Sequence, residues 1–230
     1  MSEVTAGRRF GAGPLSRAAA LIYTVLVVEL LTVAACAPGL AGLVLLDRDA
    51  SNLPLYALCA LPAGPALSAA LYTLHHRRLD LADLSPGAAF LRGYRANAFD
   101  VLKIWAPWLA GMTVVGVNLA HFHAAGVPGW WAALLVAVAV AGALWAAGAL
   151  VIASLFRFRA VDVARLASYF LIRRPAATLG NASLLVVAGG LTLAASELAP
   201  LALAFAFAAG LLRNSRPMIA EIRERFVLDQ

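Results

Sequence analysis

From Gly129 to Leu155 the chain runs through small and apolar residues without a single charge. A helix of about 20 apolar residues crosses the hydrocarbon of a bilayer, so this run alone fixes the solvent in which the chain must fold. Further runs at about 18–46, 53–74, 101–121, 176–196 and 198–212 have the same character. They account for a composition that is 63% apolar and only 13% charged, with a mean hydropathy of +0.84. Soluble domains lie nearer about 45–50% apolar and about 25% charged, and no core of this length could hide the excess. The expected fold class is all-α and polytopic: six transmembrane helices with short amphipathic helices at one membrane face.

The first run contains Ala37-Pro38-Gly39, and a proline inside a helix removes a hydrogen bond, so a kink or a break is expected there. Arg8–Phe10 and Val33–Cys36 loosely match a twin-arginine signal and a lipoprotein cleavage box. Glu29 interrupts that would-be signal core and the apolar run continues to Leu46, so an uncleaved first span is the better reading. Cys36 and Cys59 sit inside apolar runs without zinc or redox spacing, as buried free thiols do.

Orientation follows from the basic residues. Arg8, Arg9 and Arg17 precede the first run; Arg77, Arg78, Arg92, Arg95 and Lys103 surround the second connection. Arg157, Arg159, Arg165, Arg173 and Arg174 fill the fourth, and Arg213, Arg216, Arg223 and Arg225 follow the last run. Every basic residue except Arg48 therefore falls on one side, and the positive-inside rule makes both termini cytoplasmic. The net charge of +6 is then a property of the membrane face rather than a nucleic-acid footprint. The chain divides into a basic tail (1–16), a six-helix domain (17–213) and an amphipathic C-terminal helix (214–230).

Three stretches on the basic side have helical amphipathic spacing. Phe90, Tyr94 and Ala98 line one face of the first, with Arg92 and Arg95 on another; Val163, Leu166 and Phe170 line the second. Ile219, Ile222 and Phe226 line the third, where Glu221 and Arg225 stand as an i,i+4 pair. Such helices lie among headgroups or cover the inner mouth of a bundle, and docking of a partner is the sharper alternative. The order "basic amphipathic helix, then two spans" occurs over 88–155 and again over 161–212. Repeats of this kind favour transport over a plain anchor.

Few residues could carry chemistry. Glu29 is the acidic residue well inside a span, where a charge must face protein or water. It reads either as a proton, cation or polar-solute site or as a helix-paired group that orients the first span. Asn118 is a candidate partner for Glu29 or an interhelical link. Asp100 and Lys103 are placed to pair at the interface. His121 and His123 alternate, as weak metal candidates, but no acid or thiol nearby in sequence completes a shell. His75–Arg78, "HHRR", reads as the end of the second span. Trp130 and Trp131 fit an interfacial aromatic belt. No phosphate loop, no nucleophile beside a base and no CxxC occurs, so neither catalysis nor a cofactor is expected. Gly64–Ala70 and Gly142–Ala149 are rich in small residues, the composition of close helix packing.

Leu61, Pro62, Gly64, Pro65, Ala66, Ala70, Leu71 and Tyr72, followed by Phe90, Arg92, Tyr94, Arg95 and Asn97, resemble two elements of the YesL-like family of bacterial membrane proteins. The likeness stops after Asn97, where Ala98-Phe99-Asp100 stands in place of the family's aromatic and amide. The long first run with Glu29 and Pro38 also departs from it. The resemblance implies a bacterial inner-membrane setting beside carbohydrate ABC importers and glycoside hydrolases. Hence the expected function is a non-enzymatic accessory or regulatory component of carbohydrate uptake. Its partners would be the bilayer, ABC transporter subunits or a second copy, with Phe90, Arg92, Tyr94, Arg95 and Asn97 as contact residues and no nucleic acid. The rival expectation is a small-solute transporter or channel with a midplane site at Glu29 and Asn118.

Overall fold

The charge-free runs fold as helices, because a helix satisfies its own N–H and C=O groups where no water is available. A computed structural model describes residues 14–76, 85–195 and 199–227. The basic tail before Pro14, Arg77 and Arg78, the turn around Glu197 and the side chain of Phe226 lie outside the described residues. The described residues are 88% helix with no strand among them, so the all-α expectation holds.

The elements are α1 (Pro14–Leu45), α2 (Leu53–Cys59), α3 (Ala63–His75), α4 (Pro86–Ala120), α5 (Trp130–Leu155), α6 (Ala160–Arg173), α7 (Pro175–Ala194), α8 (Ala204–Asn214) and α9 (Arg216–Ile222). Among the described residues, five segments are long and apolar enough to cross a membrane: Leu15–Leu45, Ala50–His75, Pro86–Ala120, Trp130–Leu155 and Pro175–Ala194. The expected sixth span does not form at that length. A 3₁₀ turn at Leu201–Leu203 leads into α8, whose 11 residues reach only about 16 Å.

Three further differences concern where helices start and stop. Helix α1 runs unbroken through Pro38. Beside it, a Cβ on Gly39 would collide with the Cys59 carbonyl, and one on Gly42 would lie 2.5 Å from the Cys59 sulfur. The small residues after Pro38 thus admit α2 rather than end α1. The second run, by contrast, is two helices parted at Ala60–Pro62. The rings of Pro62 and Pro65 remove two N–H donors there, and the Trp105 indole donates to the Ala60 carbonyl at 3.0 Å. Finally, the basic stretch around Arg92 is no separate surface helix. It is the first third of the 35-residue α4, about 52 Å long against a hydrocarbon thickness of about 30 Å.

Helices α3 and α4 form the tightest pair, running antiparallel: Gly64 faces Trp105 at one end of the contact and Gly93 faces Tyr72 at the other. Helix α5 lies antiparallel to α4, with Gly142 under Met112 and Trp108, and α8 lies antiparallel to α7, with Gly210 against Leu184. The buried core gathers at the end of the bundle that carries the arginines. There Leu71, Phe90, Ile152, Val163, Phe170 and Ile222 meet from α3, α4, α5, α6 and α9. Helix α6 covers this core with Val163, Ala167 and Phe170, and α9 covers it with Met218, Ile219 and Ile222. At the periphery, α7 buries no residue and exposes Leu179, Val186 and Leu193. Such an unbroken apolar exterior suits hydrocarbon and not water.

Gly93→Ala is expected to lower the thermal midpoint in detergent, because the added Cβ would sit 2.7 Å from the Tyr72 ring and 2.8 Å from its Cβ, an atom that cannot swing away. Overpacking of this kind costs about 1–3 kcal/mol. Gly111→Ala meets open space and should leave the midpoint unchanged or raise it slightly.

Candidate functional site

Helix α8 begins with Leu203 at its N-cap position, a side chain that cannot accept a hydrogen bond. Its first N–H groups need an acceptor from elsewhere. Glu29, near the middle of α1 and half-buried, supplies it: Oε1 accepts the Ala204 N–H at 3.0 Å and Oε2 accepts the Phe205 N–H at 2.8 Å. The carboxylate also stands at the positive end of the α8 dipole. On the same helix, Thr24 and Thr32 donate to the Ala20 and Val28 carbonyls of the preceding turns, so α1 offers few free polar groups. Of the two readings of Glu29, the helix-paired one describes this geometry.

Asn118 is not brought to Glu29. It lies exposed in the last turn of α4, with its amide donating to the Val114 carbonyl of the same helix at 2.7 Å. His121 caps the same terminus, Nδ1 lying 3.0 Å from the Val117 carbonyl, and His123 packs edge-on against Phe122. Both histidines are exposed, and no group of three metal-ligating side chains occurs among the described residues. Asp49 lies close enough in space to feel His121, although the Ser51 N–H and hydroxyl chiefly hold its carboxyl below the usual carboxylate range.

The proposed contact residues of α4 divide between two roles. Phe90 is only 2% exposed and belongs to the core, with Tyr94 half-buried against it at a ring separation of 6.4 Å. Asn97 donates to the Ser154 carbonyl of α5 at 2.9 Å. The Ser154 hydroxyl reaches Ser68 on α3 at 2.9 Å and the Leu150 carbonyl at 2.5 Å. Asn97, Ser68 and Ser154 thus tie three helices together. Arg92 and Arg95 point outward, and Phe99, 73% exposed, continues their face one turn further. Lys103 pairs with Asp100 at 2.7 Å and sits 4.5 Å above the Phe99 ring.

At the basic end, Glu221 is 7% exposed and accepts Arg174 Nε at 2.9 Å and Nη2 at 2.5 Å, with Arg225 at 3.5 Å on its other oxygen. The Arg174 hydrogen bonds hold its carboxyl below the usual range. The i,i+4 spacing of Glu221 and Arg225 is visible in the sequence, but the stronger partner, 47 positions away, is not. Nor do the spacings mark the tryptophans as tethers. Trp105, Trp108 and Trp145 donate to the carbonyls of Ala60, Gly142 and Ala164, each on another segment. Trp130 and Trp131 stack at 4.4 Å and stay exposed, as belt residues do.

His75 and His76 end α3, where His76 Nδ1 lies 3.0 Å from the Tyr72 carbonyl. Cys36 and Cys59 are free thiols. No protein-family model, no curated protein and no solved structure matches the chain.

Glu29→Leu should lower stability in detergent by about 2–3 kcal/mol, since two N–H groups lose a charged acceptor. Glu29→Gln keeps one carbonyl oxygen and should cost about 1 kcal/mol. Asn118→Leu, which removes only a bond within its own helix, should cost less than either in the same thermal scan.

Proposed function

We propose that this chain is a multi-pass protein of the bacterial cytoplasmic membrane, with both termini cytoplasmic, that assists a carbohydrate uptake system by contact rather than by catalysis. The reading keeps the resemblance to the YesL-like family. One observation carries it: Glu29, Asn97, Ser68 and Ser154 are engaged with other helices inside the bundle, while Arg92, Arg95 and Phe99 form an outward face. Helix α4 is longer than the hydrocarbon is thick, and on this reading that face belongs to the part beyond it. A mixed cationic and aromatic surface is the composition of interaction hot spots. An acidic patch on a permease or ATPase subunit would complement it, as would an acidic patch on a second copy.

The transport reading draws less support. Both oxygens of Glu29 are occupied by α8, and Asn118 stands apart on an exposed surface. A midplane solute site needs polar groups that converge and stay free to bind.

Affinity purification of the tagged chain from native membranes should enrich permease or ATPase subunits of a carbohydrate importer. Arg92→Ala with Arg95→Ala should reduce that enrichment about tenfold while leaving the yield of folded protein unchanged. Retention of the partner by the double variant would remove the contact role. Solute flux into reconstituted vesicles that disappears in Glu29→Gln would favour transport instead.

A further inference from the structure

The two sides of α9 carry opposite electrostatic fates. On one side Glu221 pairs with Arg174 and Arg225. On the other, Arg216 and Arg223 stand two helical turns apart, and Arg213 from the last turn of α8 joins them. His75, at the end of α3, closes the group, with its Nε2 3.4 Å from Arg223 Nη2. These four side chains line a cleft of about 400 Å³ whose remaining wall is apolar, including Leu212 and Ile219. No carboxylate lines the cleft, and none among the described residues pairs with Arg213, Arg216 or Arg223.

Three guanidinium groups gathered without a counter-charge repel one another, and an anion held among them relieves that repulsion. Arginine presents a planar fork of donors that matches the oxygens of phosphate. The cleft volume falls within the range of small-ligand sites, about 300–1,000 Å³. Its position adds a second constraint: the cleft lies where α3 and α8 end, with Leu74, Ala209, Leu212 and Ile219 forming an apolar wall, so a ligand with a phosphate head and an apolar portion can meet both kinds of wall. Basic pockets between helices at a membrane face hold phosphorylated lipid headgroups in this way. We infer that the cleft between α3, α8 and α9 binds a phosphate group, with Arg213, Arg216 and Arg223 as its donors and His75, whose Nε2 faces the Arg223 guanidinium, on its wall. This site is separate from the Arg92–Phe99 face and does not depend on its role.

Binding is read by native mass spectrometry and thermal shift on the full chain in non-ionic detergent. Phosphatidylglycerol, phosphatidylcholine and inorganic phosphate serve as probes, and nanodiscs of the two lipids serve as a second setting. Phosphatidylglycerol should stay bound and raise the midpoint more than phosphatidylcholine does. Arg216→Gln with Arg223→Gln should weaken this at least about tenfold. Ala220→Trp, which fills the cleft while keeping every charge, should weaken it comparably, whereas Arg159→Gln should not. If inorganic phosphate gives the same shift as the lipid, the source is a free phosphate; if only the lipid does, it is a headgroup. Unchanged binding in both cleft variants, or an equal loss in Arg159→Gln, overturns the site and leaves only diffuse surface charge.

Discussion

In an apolar solvent each interrupted helix leaves backbone groups that only the protein can satisfy, and this constraint organises the bundle. Among the described residues, two interruptions occur inside apolar runs, at Ala60–Pro62 and at the start of α8. Each is met by a polar side chain from another helix. Trp105 donates to the Ala60 carbonyl, and Glu29 accepts from Ala204 and Phe205. Both bonds also fix where helices cross. Trp105 sits over Gly64, so the indole that satisfies the break also sets the α3–α4 separation. Glu29 anchors the short α8 to α1, and α8 in turn carries Arg213 toward the cleft.

Between these anchors, close approach of small residues does the packing. Gly39 and Gly42 admit α2, Gly93 admits Tyr72, and Gly142 admits Met112. Small residues matter here because lipid tails are as apolar as leucine, so helices gain little from burying leucine and more from intimate contact and hydrogen bonds. The Ser68–Ser154–Asn97 link is the polar counterpart of the same device. At the basic end, amphipathic α6 and α9 shield the core and leave their arginines outward, with Glu221 alone of their charges buried. The ion pair of Arg174 with Glu221 clamps α9 to the start of α7.

How much of this was legible depends on the range of the interaction. The all-α class, the long apolar segments and the buried faces of α6 and α9 follow from local periodicity, and Asp100–Lys103 pairs as its spacing implies. Helix boundaries were less legible. Pro38 suggested an interruption and made none, while Pro62 and Pro65 made one; the difference lies in what packs beside them. Where a sixth span was expected stands the short α8, whose start is capped from α1, 175 positions away. Phe90 and Asn97 read as contact residues because they belong to the motif that carries the family resemblance, and a motif marks residues without saying what they meet. In the structure the two meet α5 and the core. The cleft was the least legible feature, since "HHRR" hints at an anion grip only once Arg213, Arg216 and Arg223 stand beside His75.

The most direct measurement is amide hydrogen–deuterium exchange resolved at Ala204 and Phe205 in wild type and in Glu29→Leu. If Glu29 caps α8, both amides in the wild type exchange as slowly as the interior of α8. They exchange at least about tenfold faster in the variant, consistent with loss of bonds to a charged acceptor. Amides in the middle of α5 should be unchanged. Equal exchange at Ala204 and Phe205 in the two proteins would contradict the cap and free Glu29 for another role.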